Sequence, residues 1–372
     1  MCATWGEAGW RAGFQGCNTL ERGFHSGCNP PRSKVGLILS LQRSFARRAE
    51  GAGLYFLGEE NSFLTGKGEK MVEKKAKYIS LSGRIIPYED AKIHVSSIAV
   101  RFAGAVFEGI RGYWNEDNKQ LYLFRLREHL HRLQDSMKLM RFDGTYATEE
   151  LEQWVIDLVR QNEFKEDIQI RPFAFLDGEG GLGTRGPIGI AITAIPMGRF
   201  MREEGIKAMV SSWRRIDDDV MPPRIKCVGN YQNNRLALIE ANMHGYDAAI
   251  MLNRSGKVTE ETRACVFVCR NKIPMTPPVT NGILESITRE TLLYLFSKEL
   301  GIEPLEREID RTELYVSDEA FLCGTAAEII PILSIDGFHL TGGPITSSIK
   351  KVYFDVVRGR TDQYKNWRTP VY

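Results

Sequence analysis

From residue 76 onward the chain alternates β-like runs with amphipathic helical runs, in two successive blocks. Strand runs need partners and helical stripes need a sheet to cover, so each block implies one sheet with helices packed on it. In the first block, "KYISLSGRIIPYEDAKIHV" alternates and reverses at "SG", as a hairpin does. "AGAVFEGIRGYW" and "QLYLFRL" read as strands separated by the turn "NEDNK". Leu130, Leu133, Met137 and Met140 then recur at helical spacing. A second helix starts at Thr148, with Leu151, Trp154, Val155 and Leu158 on one face. "IQIRPFAFL" and "IGIAITAIPM" close the block as strands.

The second block follows "GRFMRE". It reads as strand 206–213, loop 217–231, helix 232–244 stopped by Gly245, and strand 248–252. "KVTEE" and "CVFVCR" are strands, "MTPPVTNGILES" is a loop, and "ITRETLLYLFSKELG" is a helix. Strands "PLEREI", "EAFLCG" and "IIPILSI" lead to a closing helix in "PITSSIKKVYFDVVRGR". The class implied is α/β (α+β) with two domains, 71–197 and 206–372, joined by a linker at 198–205. Residues 1–70 show no clean period and read as an extension, disordered or outside the working protein. A transit peptide fits less well, because acidic residues come early.

Composition narrows the function. The 372 residues are 43% apolar and 26% charged, as in ordinary globular proteins. A net charge of only +2 gives no field that would draw nucleic acid or an anionic membrane. No run of 18 apolar residues suggests a membrane span. Seven cysteines and six histidines are scattered without a C-x-x-C or zinc spacing. No metal site is expected, and a reducing, cytoplasmic setting is. His129 and His131, two apart on a helix, point in different directions. "GEGGLG" (178–183) satisfies a dinucleotide pattern, but a β-run follows it where a helix is needed, so it reads as a link between strands.

Lys226 stands out, set among Ile225, Cys227, Val228 and Gly229 just before a helix. An amine is expensive to bury. Desolvation favours its neutral form, and a neutral amine attacks carbonyls. The plain alternative is a lysine that snorkels to water.

Several ordered segments decide between these. "AVFEGIRGY", "YLFRLREHLHRLQDS", "IRPF", "KCVGNYQNNRLAL", "GILESITRE", "TELYVSDE", "CGTAAEIIPI" and the ending "YFDVVRGRTDQYKNW" together resemble the class IV, fold-type IV pyridoxal-phosphate aminotransferases, and among them the branched-chain amino acid aminotransferases. The resemblance implies a small N-terminal α/β sandwich domain and a larger C-terminal pseudobarrel domain. It implies pyridoxal 5'-phosphate as cofactor, amino acids and 2-oxo acids as substrates, and a homodimer or larger homo-oligomer.

It also implies roles. Lys226 matches the lysine that forms the Schiff base and shuttles the proton. Glu260 matches the carboxylate facing the pyridine nitrogen, and Tyr231 the phenol at the cofactor's O3′. Arg132, Leu284, Ile287, Thr288 and Thr325 match the rest of the cofactor set, with Arg132 and a helix N-terminus suited to phosphate. Thr325 and Ala326 match the turn that receives the substrate α-carboxylate. Phe107 matches a pocket aromatic, and Arg111 and Arg171 match arginines at the pocket mouth. Each has a plain reading too: a solvated strand charge for Glu260, packing for Tyr231, a solvated face for Arg132, a strand-end salt bridge for Arg171.

The pattern breaks in places. Phe102, Met197 and Phe200 replace a tyrosine, a tryptophan and a tyrosine of the substrate pocket. "TEETRACVF" departs from a glycine-rich stretch beside the cofactor, placing Arg263 there. The expected reaction is transamination between leucine, isoleucine or valine and 2-oxoglutarate. The alternatives are another class IV enzyme, such as a D-amino acid or (R)-amine aminotransferase or aminodeoxychorismate lyase, or a scaffold that only binds.

Overall fold

The computed structural model describes residues 62–64, 70–72, 76–198 and 201–372. Most of the predicted extension and Phe200 lie outside the described residues. A short antiparallel pair opens the description, β1 (Ser62–Leu64) with β2 (Lys70–Val72).

The first block forms β3 (Tyr78–Leu81), β4 (Arg84–Pro87), β5 (Ala105–Phe107), β6 (Ile110–Asn115), β7 (Gln120–Phe124), β8 (Ile168–Leu176) and β9 (Ile188–Pro196). They pair antiparallel in the order β7-β6-β8-β9-β3-β4, with β5 also on β8. The "SG" reversal is a two-residue turn with Ser82 and Gly83 at φ 47° and 79°, the handedness that suits twisted strands. Gly83 also admits Trp154, since a Cβ there would sit 2.7 Å from the indole.

Three helices accompany this sheet: α1 (Ile98–Phe102), α2 (Leu126–Leu139) and α3 (Thr148–Asn162). Leu130, Leu133 and Met137 from α2 and Leu151, Val155 and Leu158 from α3 share one core with Ile168, Ile170, Ile190 and Ile192. Each such side chain stabilises the fold by roughly 1.5–3 kcal/mol. Met140 ends α2 and is half-buried. His129 is buried and His131 exposed, as their spacing requires. The "GEGGLG" stretch is a β8–β9 link lying on α1, where Ile98 N–H donates to Gly178 O (3.0 Å).

The second block forms β10 (Ile206–Arg214), β11 (Ala248–Leu252), β12 (Val258–Glu261), β13 (Cys265–Arg270), β14 (Ile273–Thr276), β15 (Leu305–Glu306), β16 (Glu319–Gly324), β17 (Glu328–Ile335) and β18 (Phe338–His339). The order is β12-β11-β10-β17-β16-β13-β14-β15, and β10 runs parallel to both its neighbours. End strand β12 runs straight into mid-sheet β13 through a tight turn, with Glu261 N–H donating to Ala264 O (2.8 Å). The sheet therefore curls back on itself, the pseudobarrel expected. "PLEREI" yields only a two-residue strand, because it meets β14 at just two positions, Met275 with Leu305 and Thr276 with Glu306. Helices α4 (Asn230–Met243), α5 (Ile287–Leu300) and α6 (Pro344–Val357) belong to this block. The last strand, β19 (Arg368–Pro370), returns to pair with β7 of the first sheet.

Among the described residues no helix is long and apolar enough to cross a membrane. Nor could any group of three or more His, Cys, Asp or Glu among them hold a metal ion.

Candidate active site

The apolar setting of Lys226 belongs to its neighbours. Ile225 and Cys227 are buried in the core of the first sheet. The backbone between them is tied to β5: Phe107 N–H donates to Lys226 O (2.9 Å) and Val228 N–H to Ala105 O (3.0 Å). Cys227 N–H closes a tight turn on Ile225 O (2.9 Å) around Lys226, and Lys226 lines a cavity of about 450 Å³. Its Nζ is half-buried, donates to Tyr231 Oη (2.7 Å), and lies 4.9 Å from the centre of the Phe107 ring. Phe107 packs edge-on to Tyr231 and stacks on Phe173. Burial pushes the Cys227 thiol up, which suits a packing role.

At one wall the cavity meets the start of α5. Ser286 caps that helix, accepting from Arg289 N–H (3.3 Å), and lines the cavity with Leu284. Arg132 Nη1 donates to Glu285 O (2.6 Å), so a guanidinium stands beside a helix N-terminus, where two sources of positive potential add. Ile287 and Thr288, in the first turn, are buried and do not line the cavity with Ser286. Their backbone amides lie too early in the helix for intrahelical acceptors.

Arg132 is held by a residue the sequence reading passed over. Its Nε and Nη2 donate to the two oxygens of Glu108, at 2.7 and 2.8 Å. Glu108 is fully buried and interrupts what reads as one strand, separating β5 from β6. It also accepts from His129 Nδ1 (2.7 Å) and Gly109 N–H (3.3 Å). Burial alone would raise this carboxyl; Arg132 and His129 outweigh it and hold Glu108 well below the usual carboxylate range. Burial lowers His129, so the imidazole is neutral near pH 7 and donates through Nδ1–H. The clue was a glutamate inside the apolar run "AVFEGI", which must find a partner if buried.

Glu260 lines the cavity from β12 and is buried too. It pairs with Arg215 (Nη2 to Oε1, 2.8 Å) and accepts from Leu284 N–H (3.1 Å). Burial raises its pKa, and Arg215, the Leu284 amide and Lys226 offset only part of that. Arg215 is a second residue the sequence reading missed, for nothing in "SWRRIDDD" separates it from exposed Arg214. Arg215 Nε and Asn230 Oδ1 are buried on cavity-lining residues with no hydrogen-bond partner among the described residues.

Arg171, Met197, Thr325 and Ala326 also line the cavity. Two other predicted substrate residues do not. Arg111 lies within the protein, 2% exposed, donating to Met197 O (2.7 Å) and Gly198 O (3.3 Å) and pairing with Glu328 (3.3 Å). A buried counter-charge has drawn it from the mouth, and it anchors the chain leaving β9. Phe102 ends α1 in solvent, 43% exposed, under the Arg101 guanidinium.

The donor set fits pyridoxal phosphate. An amine with a phenol partner, a buried carboxyl, and an arginine at a helix N-terminus face one cavity of cofactor size.

Comparison with known proteins agrees. The amino-transferase class IV family profile matches residues 105–335. A probable branched-chain-amino-acid aminotransferase of Aquifex aeolicus is 42% identical over 297 residues, covering 78% of this chain and 95% of that one. The crystal structure of a branched-chain aminotransferase from Thermoproteus uzoniensis with norvaline superposes with a TM-score of 0.78 at 46% identity, covering 80% of this chain and all of that one. The pyridoxal-phosphate form of the Thermobaculum terrenum branched-chain amino acid aminotransferase superposes at 0.77 and 45% identity, covering 81% and 100%.

Proposed function

The chain belongs to the class IV aminotransferases, and from that premise we propose how its residues divide the work. It is a pyridoxal-phosphate enzyme that moves an amino group between a branched-chain L-amino acid and 2-oxoglutarate. The observation that carries the site assignment is the Lys226 amine on Tyr231, in the same cavity as Glu260 and the Arg132–α5 corner.

Bound pyridoxal phosphate supplies an aldehyde carbon and an electron-withdrawing ring. Lys226 Nζ takes the proton from the substrate α-carbon and returns one in the reverse half-reaction. Tyr231 orients that amine through its hydroxyl. Glu260 would accept a hydrogen bond from the ring nitrogen and so keep that nitrogen protonated. Arg132 and the α5 N-terminus hold the phosphate. Phe107, Phe173 and Met197 offer an apolar wall for a branched side chain, and Arg171 offers a cation for the distal carboxylate of 2-oxoglutarate.

We read residues 71–197 and 206–372 as the two domains and 198–205 as their linker. Exposed Ile93, Val95, Val100, Phe102 and Leu182 support a homodimer reading, with the apolar face covered by a second copy. The cysteine pattern supports a reducing cytoplasm.

Lys226→Ala should abolish turnover, a loss of at least about 10⁴-fold, while the protein stays folded. A half-reaction screen of leucine, isoleucine, valine and both enantiomers of alanine, read by cofactor absorbance, tests the substrate reading. Glutamate-dependent amination of 4-methyl-2-oxopentanoate supports it. Preference for D-alanine or a simple amine would move the enzyme to another class IV activity.

A further inference from the structure

Glu260 does not stand alone at its end of the cavity. Arg215 directly follows β10, and β10 slips register against β11 between Val210 and Arg214. Such irregularities re-aim side chains. Arg214 is exposed, whereas Arg215 is buried and lines the cavity. Its backbone N–H donates to Leu252 O (2.9 Å). Its guanidinium lies between two buried side chains, with Nη2 on Glu260 Oε1 (2.8 Å) and Nη1 donating to Asn234 Oδ1 (2.8 Å). Asn234 is tied in turn through Nδ2 to Thr262 O (2.6 Å), just past the end of β12.

Tyr231 and Asn234 are three residues apart on α4, so they share one face of that helix. Tyr231 holds the Lys226 amine, and Asn234 holds the arginine that holds Glu260. One turn of helix thereby sets the amine and the carboxylate relative to each other. Glu260 receives Arg215 at Oε1 and the Leu284 amide at Oε2, and a carboxylate has about four acceptor positions, so capacity for a ligand N–H remains. Burial opposes the negative charge that makes this group a strong acceptor. Arg215 is the largest of the influences that counter burial, ahead of the Leu284 amide and the Lys226 cation.

We propose that Arg215, held by Asn234, is a positioning residue that fixes the Glu260 carboxylate as the acceptor for the cofactor's ring nitrogen. Arg215 acts through Glu260, so its effect is specific to a ring that carries a nitrogen there. This deepens the aminotransferase reading above and rests on it.

The test reconstitutes holoenzyme with pyridoxal phosphate or with its carbocyclic analogue, in which carbon replaces the ring nitrogen, and measures both affinities. A charge-assisted hydrogen bond is worth about 10- to 100-fold in affinity, and the parent should prefer pyridoxal phosphate by about that ratio. Arg215→Met should narrow the ratio to about five-fold or less, the worth of a neutral hydrogen bond. Arg215→Lys, which keeps a point charge, should restore part of it. In a Glu260→Gln background, Arg215→Met should change the ratio no further. With leucine as donor, the acid limb of the kcat profile should move to higher pH in Arg215→Met, because Glu260 loses the cation that favours its charge. Asn234→Ala keeps the guanidinium but frees it from α4; it should narrow the ratio as well, and it decides the case if Arg215→Met does not fold. The proposal is overturned if the deciding variant weakens both cofactors equally, or if Arg215→Met still narrows the ratio in the Glu260→Gln background. A parent that binds neither cofactor refutes the pyridoxal-phosphate reading itself. A parent that binds both equally refutes the role of Glu260 and with it that of Arg215.

Discussion

Glu108 and Glu260 are both buried, both line one cavity, and both face an arginine, yet their proton affinities shift in opposite directions. Depth does not separate them. Glu108 accepts two bonds from Arg132 and one each from His129 and Gly109, and its charge is stabilised beyond what burial takes away. Glu260 meets a single Arg215 nitrogen and one amide, and burial prevails. The Arg132 end of the cavity is thus a saturated ionic clamp. At the Glu260 end burial is only partly offset, and the carboxyl pKa stays raised.

Breaking the clamp should have the larger effect on stability. Glu108→Gln leaves Arg132, a largely buried guanidinium, without its anion. Removing one partner of a buried pair costs about 3–5 kcal/mol. Thermal unfolding of the cofactor-free protein should show that loss, and cofactor titration a weakened phosphate site. An unchanged melting temperature would mean that Glu108 is not what holds Arg132.

The clamp is also where sequence reading stopped short. Lys226, Tyr231 and Arg132 stand in ordered segments that resemble a family, Glu260 stands in the departing stretch "TEETRACVF", and the fold brings all four to one cavity. Glu108 stands in one of those segments, "AVFEGIRGY", which reads as an unbroken strand. The break depends on a carboxylate turning toward α2, 24 residues away in sequence at Arg132, and no local period encodes that. Arg111 lies away from the expected cavity mouth for the opposite reason. Its counter-charge Glu328 lies 217 residues on, held at φ 56° where β17 begins, so only the folded chain reveals the pair. Helices α2, α3 and α5 were read well because their buried faces are periodic within themselves.

The pH dependence of stability sharpens the contrast. Glu108 has a lowered pKa, so its stabilisation is present above the unfolded value, about 4.3, and disappears as pH falls through the folded one. Glu260 has a raised pKa, so its contribution is present below the unfolded value and is lost as pH rises through the folded one. The penalty of Glu108→Gln should therefore grow as pH rises toward about 4.3 and level off above it, and the penalty of Glu260→Gln should shrink as pH rises above that value. At neutral pH Glu260→Gln should cost only about 1–3 kcal/mol, because Arg215 retains Asn234 Oδ1 at 2.8 Å. Denaturant unfolding of both variants on either side of that value tests the signs, and parallel curves would erase the distinction between the two ends.

The smallest effect should come from His129. Its imidazole is neutral near pH 7 and gives Glu108 a single hydrogen bond, whereas Arg132 gives two bonds and a charge. A glutamine amide can replace that one donor. His129→Gln should then lower stability by about 1 kcal/mol, the net worth of an ordinary hydrogen bond, and change cofactor affinity by no more than a few-fold. Measured beside Glu108→Gln by the same unfolding and titration, it divides the clamp between its two donors. If His129→Gln were as damaging as Glu108→Gln, the imidazole rather than the guanidinium would be what keeps Glu108 ionised, and Arg132 would be a passenger in the clamp.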